Sequence, residues 1–473
     1  MQALVSMTQW IESRAALSAY AQDYGNLVKD MPRAAVRPTT ALDIQAAIRS
    51  ARQHKIGIAP RGAGHSTGGQ AQVAGGVILD MTSMSAVHEL RQDSVWVDAG
   101  IYWRDLLTHT LRHGLTPPVF TDYIDLTVGG TLAVGGVGAQ TFRHGCQTDN
   151  VLALDVVTGT GEFVSCAPDK NADLFDLVRA GLGQFGIIAR AQIKLVAAPQ
   201  AVRFHRLFFG DRDSFLSMLN VLIDVDAFGG IEGFAIPNDE TYITRLIEQF
   251  PDEITGTRTG DMLRAAPQST WLYMIEIADY TPAPVYQRGA FDFVDLGLLP
   301  HGQFAWNLSY PDYIGRLTAS MNMLRDLGIW ALPHPWINVM VSSDDAPAFI
   351  GETLDETNPA DAGAVLIYAY RRAALQTPLF RLPTPASAAA HVIKLAYLRT
   401  AQNVQHAHTQ IEHNRRIWER VMACGGTRYP VDSVPMRAGD WAYQFGDRWS
   451  DVIAAKNKYD PDLILAPNQR IFR

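Results

Sequence analysis

The sequence predicts an α+β protein with two domains, and three observations support this. The chain has 473 residues, and one domain per roughly 150 residues gives about three, a count that two larger domains satisfy equally well. Short strand-like and helix-like runs alternate through a glycine-dense first part, and longer apolar runs predominate from about residue 202. We therefore predict a first domain over residues 1–200 and a second over residues 201–424. The aromatic, turn-rich end, residues 425–473, is expected to return to the first domain.

Local patterns predict the elements of the first domain. Thr40-Ala-Leu-Asp43 has the form of a capping box and predicts the start of a helix that continues to His54. Apolar residues at helical spacing predict a second helix over residues 173–180. Short apolar runs bounded by turn residues predict four strands, over residues 77–79, 95–97, 152–157 and 187–195.

The second domain is predicted to contain a mainly antiparallel sheet. Apolar-rich runs cover residues 203–209, 271–277 and 365–370, and they contain the aromatic and branched residues that strands favour. Helical runs over residues 214–223 and 405–422 accompany them.

The composition argues against several kinds of partner. The chain carries 40 Lys and Arg against 48 Asp and Glu, a net charge of −8, so we expect no nucleic-acid partner. No apolar run reaches the ~18 residues of a membrane helix, so we expect no membrane partner. The first twenty residues lack the basic head, apolar run and cleavage site of a signal peptide, which favours a cytoplasmic protein.

Neither a disulfide framework nor a metal site is expected. The three cysteines cannot all be paired, and none has C-x-x-C spacing. His406, His408 and His413 lie close in sequence, but on a helix two residues correspond to ~200°, so His408 would point away from the other two. Tetrahedral ligation would then be poor.

Gly181-Leu-Gly-Gln-Phe-Gly186 fits the letters of the G-x-G-x-x-G dinucleotide motif. In that motif a strand comes before the glycines and a helix after them, so that the phosphate meets a helix N-terminus. Here the predicted helix precedes the glycines and the predicted strand follows. We therefore do not interpret this segment as a dinucleotide-binding motif.

The stretch Arg61-Gly-Ala-Gly-His-Ser-Thr-Gly-Gly69 is a more specific signal. Successive backbone N–H groups in a glycine-rich turn form a concave anion site that suits a pyrophosphate. The stretch lacks the Gly-Lys-Ser/Thr ending of a P-loop, so triphosphate hydrolysis is not indicated. His65 is unusual inside such a turn, although a histidine with local hydrogen bonds is the simpler alternative.

Three blocks of sequence, in order along nearly the whole chain, carry a resemblance to a known family. The first is Pro60-Arg-Gly-Ala-Gly-His-Ser-Thr-Gly-Gly-Gln-Ala-Gln72. The second begins at Thr121-Asp-Tyr-Ile-Asp-Leu-Thr-Val-Gly-Gly-Thr-Leu132 and extends to Arg190. The third is Tyr459-Asp-Pro-Asp-Leu-Ile-Leu-Ala-Pro-Asn-Gln-Arg-Ile-Phe472. These blocks resemble the cytokinin dehydrogenases, a branch of the vanillyl-alcohol-oxidase-type FAD-linked oxidases.

The resemblance implies an FAD-binding PCMH-type fold capped by an antiparallel-sheet substrate domain. It also implies FAD as the cofactor, bonded covalently from His65 to the 8α-methyl group of the ring. A second link through cysteine is not expected, because residues 124–126 contain none and Cys146 lies well past them. The cofactor-binding residues that the resemblance implies are Arg61, Gly62, Ala63, Gly64, His65, Ser66, Gln70, Thr121, Asp122, Thr127, Gly130, Gly138, Ile188, Tyr429, Asn468 and Gln469.

The resemblance also implies two catalytic carboxylates, Asp122 and Glu276. Asp122 would take the proton of the substrate nitrogen, and Glu276 would contact the purine at the pocket mouth. Alternatives for these residues are a turn cap for Asp122 and a solvent-facing strand position for Glu276. Asp122, Glu276, Trp336 and Asn338 form the expected substrate set, and Trp441 is a further candidate for the pocket wall.

The implied reaction is the oxidative cleavage of N6-substituted adenines. Hydride leaves the carbon next to N6 for flavin N5, and the imine is hydrolysed to adenine and an aldehyde. A quinone-type acceptor or dioxygen would reoxidise the flavin. Tyr429-Pro-Val-Asp432 departs from the Tyr-Leu-Pro segment of the family, so two alternatives stay open. One is a covalent-flavin oxidase of another small amine, alcohol, sugar or secondary metabolite, and the other is a non-catalytic flavin or ligand carrier.

Overall fold

The computed structural model describes residues 9–247, 269–280, 302–362, 365–384, 389–437 and 439–472. The mixture of helices and strands in these ranges confirms the predicted α+β class. The strands before residue 200 are β1 Gln9–Ile11, β2 Ala34–Arg37, β3 Ile58–Arg61, β4 Val77–Asp80, β5 Val87–Leu90, β6 Ser94–Asp98, β7 Leu115–Thr116, β8 Val151–Val157, β9 Phe163–Cys166, β10 Ile187–Lys194 and β11 Val196–Ala197. The later strands are β12 Ala201–Phe209, β13 Gly230–Pro237, β14 Trp271–Asp279, β15 Gly302–Ser309, β16 Ile337–Ser342, β17 Val365–Arg371, β18 His391–Tyr397 and β19 Thr427–Arg428.

The α-helices of the described ranges are distributed over the whole chain. They are α1 Arg14–Leu17, α2 Ala41–His54, α3 Trp103–Leu111, α4 Val128–Leu132, α5 Thr141–His144, α6 Ala172–Val178, α7 Arg212–Val225, α8 Glu240–Ile247, α9 Tyr310–Ile314, α10 Thr318–Asp326, α11 Ala346–Asp355, α12 Pro359–Ala362, α13 Val404–Ala423, α14 Asp440–Phe445 and α15 Trp449–Tyr459. In the part of the chain that the structure describes, no helix is both long enough and apolar enough to cross a membrane.

The first part of the chain forms two main sheets with a helix packed against both. One has four strands in the order β1-β2-β4-β3, and the other has five antiparallel strands in the order β5-β6-β10-β8-β9. Buried residues of α2, among them Ile44 and Ile48, pack with Val36 and Leu79 of the first sheet and with Ile187 of the second. The apolar stripe of α2 therefore joins the two sheets around one core.

The predicted helices and strands of this region are confirmed. Thr40 Oγ1 accepts a hydrogen bond from Asp43 N, and Asp43 Oδ2 accepts one from Thr40 N (2.9 Å), so α2 begins at a capping box. The helix predicted over residues 173–180 ends earlier, at Val178. The reason is that Ala180 adopts a left-handed φ of 55° and donates its N–H to Leu132 O (2.9 Å).

The second part of the chain is built on an antiparallel sheet of eight strands. Their order is β15-β12-β14-β13-β17-β18-β16-β19. The three strands predicted here correspond to β12, β14 and β17, and the two predicted helices correspond to α7 and α13. Nearly every residue of β14, β17 and β18 is buried, as expected for strands whose two faces are both covered.

The C-terminal stretch contacts the first sheet beside β3. Ile58 N donates to Ile464 O (2.8 Å), and Ala466 N donates to Ile58 O (2.9 Å). The domain limits at residues 200 and 424 stay a prediction. Thr427 and Arg428, which form β19 just after the second limit, pair with β16 in the eight-stranded sheet.

Lys456 of α15 fixes this stretch to the loop at residues 181–186. Its buried Nζ donates to Gln184 O (3.0 Å) and Gln184 Oε1 (2.9 Å), and it lies 2.8 Å from Asp460 Oδ2. Asp460 in turn accepts hydrogen bonds from Ile464 N (3.1 Å) and Leu465 N (2.9 Å). Lys456 thus joins two distant segments by its hydrogen bonds to Gln184, and Asp460 neutralises its buried charge.

We expect Lys456→Met to lower the free energy of unfolding by about 3–5 kcal/mol, because it leaves the buried Asp460 carboxylate without its cation. Lys458→Met on the same helix is the matched control. Lys458 pairs with Asp173 at the surface (2.6 Å), so its loss should cost at most about 1 kcal/mol. Denaturant unfolding of the two variants measures the difference, and equal losses would contradict this account of the ion pair.

Candidate active site

A cavity of about 530 Å³ lies between one face of the eight-stranded sheet and loops of the first part of the chain. Its walls include the glycine-rich turn after β3, residues from the 121–137 segment, the loop around Gly183, and side chains from β13, β14, β16, β17 and β18. The G-x-G-x-x-G loop thus borders the cavity, although α6 precedes it and β10 follows it. The volume is in the range of sites that enclose small molecules and cofactors.

Most residues that the sequence singles out line this cavity. They are Arg61, Gly62, Ala63, Gly64, His65, Ser66, Gln70, Thr121, Asp122, Thr127, Gly130, Ile188, Glu276, Trp336, Asn338, Tyr429 and Gln469. The fold therefore brings the glycine-rich turn and the two predicted catalytic carboxylates to one enclosure, although they are far apart in the sequence.

Two of the predicted cofactor-binding residues lie off the cavity wall. Gly138 packs behind it, where a Cβ would overlap the carbonyl oxygen of Phe120. Asn468 donates a hydrogen bond to Asp30 Oδ2 (2.7 Å). Both residues support the wall from outside and do not form part of it.

Trp441 does not line the cavity either, contrary to the expectation from sequence. Its ring lies 4.8 Å from the Arg428 guanidinium carbon and stacks on Phe445. Cys146 is fully buried and is also absent from the wall.

The glycine-rich turn presents unpaired backbone donors. None of the N–H groups of residues 62–66 donates a hydrogen bond to the part of the chain that the structure describes. Gly64 has a φ of +68°, and a Cβ there would overlap the Arg61 guanidinium, which lies against the turn with Nη1 unpartnered among the described residues. Free N–H groups beside a buried cation fit the pyrophosphate of a dinucleotide cofactor such as FAD.

The N-terminal segment clamps this turn from behind. Tyr24 N donates to Gly64 O (2.8 Å), and Gly25 N donates to Ser66 O (3.1 Å). The Asp23 carboxylate accepts hydrogen bonds from Ser66 Oγ (3.0 Å) and Gly69 N (2.7 Å). Burial nevertheless raises the pKa of Asp23 to about 6. The turn is therefore held in shape before any ligand binds.

His65 lies in an aromatic cluster at the cavity wall. Its ring stacks on Tyr24 at a centroid distance of 4.2 Å, and Tyr24 in turn stacks on His334 at 4.2 Å. Burial lowers the pKa of His65 to about 3, and His334 and Arg325 lower it further. The imidazole is therefore neutral at physiological pH, which is the form that can act as a nucleophile.

Asp122 is held by a hydroxyl group at one carboxylate oxygen, while the other oxygen is buried. The Tyr368 hydroxyl lies 2.8 Å from Asp122 Oδ2 and 2.9 Å from Glu232 Oε1. Asp122 Oδ1 is buried and has no hydrogen-bond partner among the described residues, with Arg316 Nη2 at 4.0 Å. The carboxylate makes no contact of the kind that caps a turn, so that alternative is wrong.

Polar residues form a row across the cavity face of the sheet. Arg206 pairs in register with Glu276, Glu276 with Glu232, and Tyr368 with Lys394. The register between β13 and β17, continued by two residues, joins Glu232 to Tyr368. Since side chains of directly opposed residues point to the same face, these five side chains lie side by side.

Ion pairs neutralise much of this row. Glu276 is only 6% exposed, and its Oε1 accepts a hydrogen bond from Arg206 Nε (2.7 Å), so the solvent-facing alternative for Glu276 is wrong. Arg316 contacts Glu232 Oε2 directly and lies 4.0 Å from Glu276 Oε2.

Glu232 is a candidate donor to Tyr368. Burial raises its pKa well above the usual range, against the opposing effect of Arg316, while Asp122 and Glu276 raise it further. Tyr368 has a single hydroxyl hydrogen, which can serve only one of its two carboxylate contacts, at Asp122 or at Glu232.

Lys394 ends the row. It is 5% exposed, and its Nζ lies 4.8 Å from the centre of the Tyr368 ring. Burial lowers the pKa of Lys394 to about 8, while the negative charges of Asp122 and Glu232 oppose the shift. The residue is therefore largely protonated at neutral pH.

The sequence did not predict roles for Glu232, Tyr368, Lys394 or Arg316. A signal was present for Glu232 and Lys394, since each is the one charged residue in the interior of a largely apolar strand. Such a residue is costly to bury and is therefore typical of a functional wall. Tyr368 has no such signal, because Tyr370 lies on the same strand. Arg316 follows the short helix α9, and no periodic pattern marks it.

Comparisons with known proteins identify the family. Residues 32–167 match the family described as FAD binding domain, and residues 199–472 match the one described as cytokinin dehydrogenase 1, FAD and cytokinin binding. Cytokinin dehydrogenase 10 of Oryza sativa subsp. japonica is 34% identical over 97% of this chain and 87% of its own. An uncharacterized oxidoreductase, ORF5 in the fasciation locus of Rhodococcoides fascians, is 35% identical over 98% of both chains.

The crystal structure of 6-hydroxy-D-nicotine oxidase from Arthrobacter nicotinovorans has the same fold. It aligns with a TM-score of 0.70 over 97% of this chain and 96% of its own, at 19% sequence identity. The matches confirm FAD as the cofactor, a small molecule as the substrate and the FAD-binding PCMH-type fold of the vanillyl-alcohol-oxidase group. The carrier alternative is wrong, because this chain belongs to the cytokinin dehydrogenase family of FAD-dependent oxidoreductases.

Proposed function

We propose that the protein oxidatively cleaves N6-substituted adenines, giving adenine and an aldehyde. The observation that carries this proposal is the Asp122 carboxylate on the cavity wall. Its side chain is partly exposed, its Oδ2 contacts the Tyr368 hydroxyl, and the glycine-rich turn that fits FAD lines the same cavity. A carboxylate in this position can accept a proton from a substrate N–H.

Bound FAD supplies a two-electron acceptor for hydride. Asp122 would hold the substrate N6–H through its carboxylate and take its proton as the neighbouring carbon gives up hydride. The substrate thereby loses two electrons and two hydrogens and becomes an imine. Water then adds to the imine carbon, and the C–N bond breaks to release adenine and the aldehyde.

Tyr368 would keep Asp122 in position as a base. Its hydroxyl contacts Oδ2 and so fixes the orientation of the carboxylate. Glu276, at the far side of Glu232 in the row, would contact the purine. Trp336 and Asn338 line the same cavity and would complete the substrate set.

We also infer that His65 forms the covalent bond to FAD. A neutral imidazole at the end of a turn that fits a pyrophosphate supports this proposal. The electron acceptor that completes the cycle would be a quinone-type compound or dioxygen. We further propose a cytoplasmic location.

A second candidate function is the oxidation of another small amine, alcohol, sugar or secondary metabolite with the same residues. It is favoured by the number of charged side chains on the cavity wall: Asp122, Glu232, Glu276, Arg316 and Lys394. A purine with a hydrocarbon tail does not need so many polar contacts.

A substrate panel tests the function. With a quinone-type dye as acceptor, the purified protein should oxidise isopentenyladenine and release adenine, measured by dye reduction and by chromatography of the products. Simple amines, alcohols and sugars should be oxidised far more slowly. Turnover of one of these compounds together with no turnover of the adenine would favour the second candidate.

Asp122→Asn should lower turnover by about 10²–10⁴-fold, the usual contribution of a general base. The visible flavin band of the variant should be unchanged, because the substitution is nearly isosteric. The measurement is the rate at which anaerobic substrate bleaches that band. Asp125→Asn, three residues further on and off the cavity wall, is the matched control. Equal bleaching rates in wild type and Asp122→Asn would remove the base role.

His65→Ala should abolish the retention of flavin after acid precipitation. In the wild type, a mass spectrum of the tryptic peptide covering residues 62–91 should show a flavin-sized increment. His144→Ala, which removes a partly buried imidazole off the cavity wall, should keep the link. A wild-type protein that loses all flavin in acid would overturn the covalent part of the proposal alone.

A further inference from the structure

We propose that Lys394 determines substrate specificity by donating a hydrogen bond to an oxygen atom on the N6 side chain of the substrate. The enzyme would then prefer adenines whose side chain carries a hydroxyl group over those with a purely hydrocarbon side chain. This inference rests on the proposed function and adds the chemical class of the side chain.

The ammonium group of Lys394 has no hydrogen-bond acceptor in the part of the chain that the structure describes. Lys394 is 5% exposed and lines the cavity, yet no described residue accepts a hydrogen bond from Nζ or pairs with it as an ion. The Tyr368 ring, 4.8 Å away, offers only a cation–π contact, which leaves the three N–H donors without acceptors. Because Lys394 lines the cavity, a ligand that displaces water from it would have to supply an acceptor for the ammonium group.

Lys456 shows how this chain satisfies a buried lysine when the role is structural. Its Nζ reaches both Gln184 O and Gln184 Oε1, as well as Asp460 Oδ2, all within 3.0 Å. Lys394 is buried to a similar degree but faces the cavity. The contrast separates an ammonium that stabilises the fold from one that is available to a ligand.

Glu276, Tyr368 and Lys394 follow one another across the sheet in an order that places Lys394 beside the side chain of the substrate. The strand order β14-β13-β17-β18 puts Glu276 at one side, Tyr368 in the middle and Lys394 at the other side. Neighbouring strands lie ~4.8 Å apart, so about 14 Å separates β14 from β18. With the purine at Glu276 and N6 at Asp122, beside Tyr368, the side chain of the substrate extends towards Lys394.

The cavity wall next to Lys394 combines apolar side chains with this one charged group. Phe234 and Leu366 are directly opposed on β13 and β17 and line the cavity two residues along from the polar row. Leu398 lines it close to Lys394 on the chain. An apolar wall with one ammonium at its edge suits a short hydrocarbon chain that ends in an oxygen atom.

The test compares isopentenyladenine with the analogue that carries a terminal hydroxyl on the same side chain. We expect the wild type to favour the hydroxylated compound in kcat/KM. Lys394→Met, of similar size but apolar, should lower that preference by about 10-fold or more, the usual effect of losing a hydrogen bond from a charged group. Lys394→Gln keeps a polar donor without the charge and should give an intermediate ratio.

Lys194→Met is the matched control, because it makes the same chemical change at an exposed position of β10 outside the cavity. Its preference should equal that of the wild type. The ratio of flavin to protein absorbance verifies that each variant is folded, and Lys394→Gln decides the question if Lys394→Met fails to hold flavin.

The outcomes separate this inference from the function on which it rests. An unchanged preference in both Lys394 variants, with both adenines oxidised, would overturn the inference alone. Equal losses on both compounds with a shifted flavin band would assign the ammonium to the cofactor and would also overturn it. If the wild type oxidises neither adenine, the proposed function fails and the inference fails with it.

Discussion

The site depends on the need to neutralise charges that are buried side by side on one sheet face. Arg206 pairs with Glu276, and Arg316 pairs with Glu232, so the charges of these four groups balance one another. Such pairs stabilise a fold weakly, but removing one member leaves the other as an unpaired charge in the protein interior, which is strongly destabilising. Asp122 and Lys394, which also face the cavity, keep unused hydrogen-bonding capacity after this mutual pairing. The groups left over by the structural pairing are the ones that can act on a ligand.

The opposite wall of the cavity follows a different physical rule. There the turn after β3 offers backbone N–H groups, and the Asp23 carboxylate and the backbone of residues 24–25 hold its shape. The stacked rings of His65, Tyr24 and His334 limit rotation of the imidazole. One wall thus binds by fixed backbone dipoles and the other by side-chain charges. A cofactor between them would be oriented by the first and would present its reactive face to the second.

Sequence reasoning predicted what depends on local patterns and on motif blocks. The capping box at Thr40, the seven predicted strands and the reversed helix–strand order around Gly181 are all encoded within a few neighbouring residues. The glycine-rich turn was predicted from its own pattern, and Asp122 through the family resemblance. The row on the sheet was not, because Glu232, Tyr368 and Lys394 meet only through the register of strands distant in sequence. Hydrophobic alternation tells which face a residue occupies, but it does not tell which partner lies opposite.

The contact of residues 464–466 with β3 has a consequence for how the protein is made. Ala466 and Gln469 complete a wall whose other parts begin near residue 24, so the enclosure cannot exist on a nascent chain that has not yet emerged to that point. Every charged residue of the sheet is therefore synthesised before the residues that complete the cavity wall. A chain that ends before residue 464 would contain the whole sheet and its charged residues but would lack this part of the cavity wall.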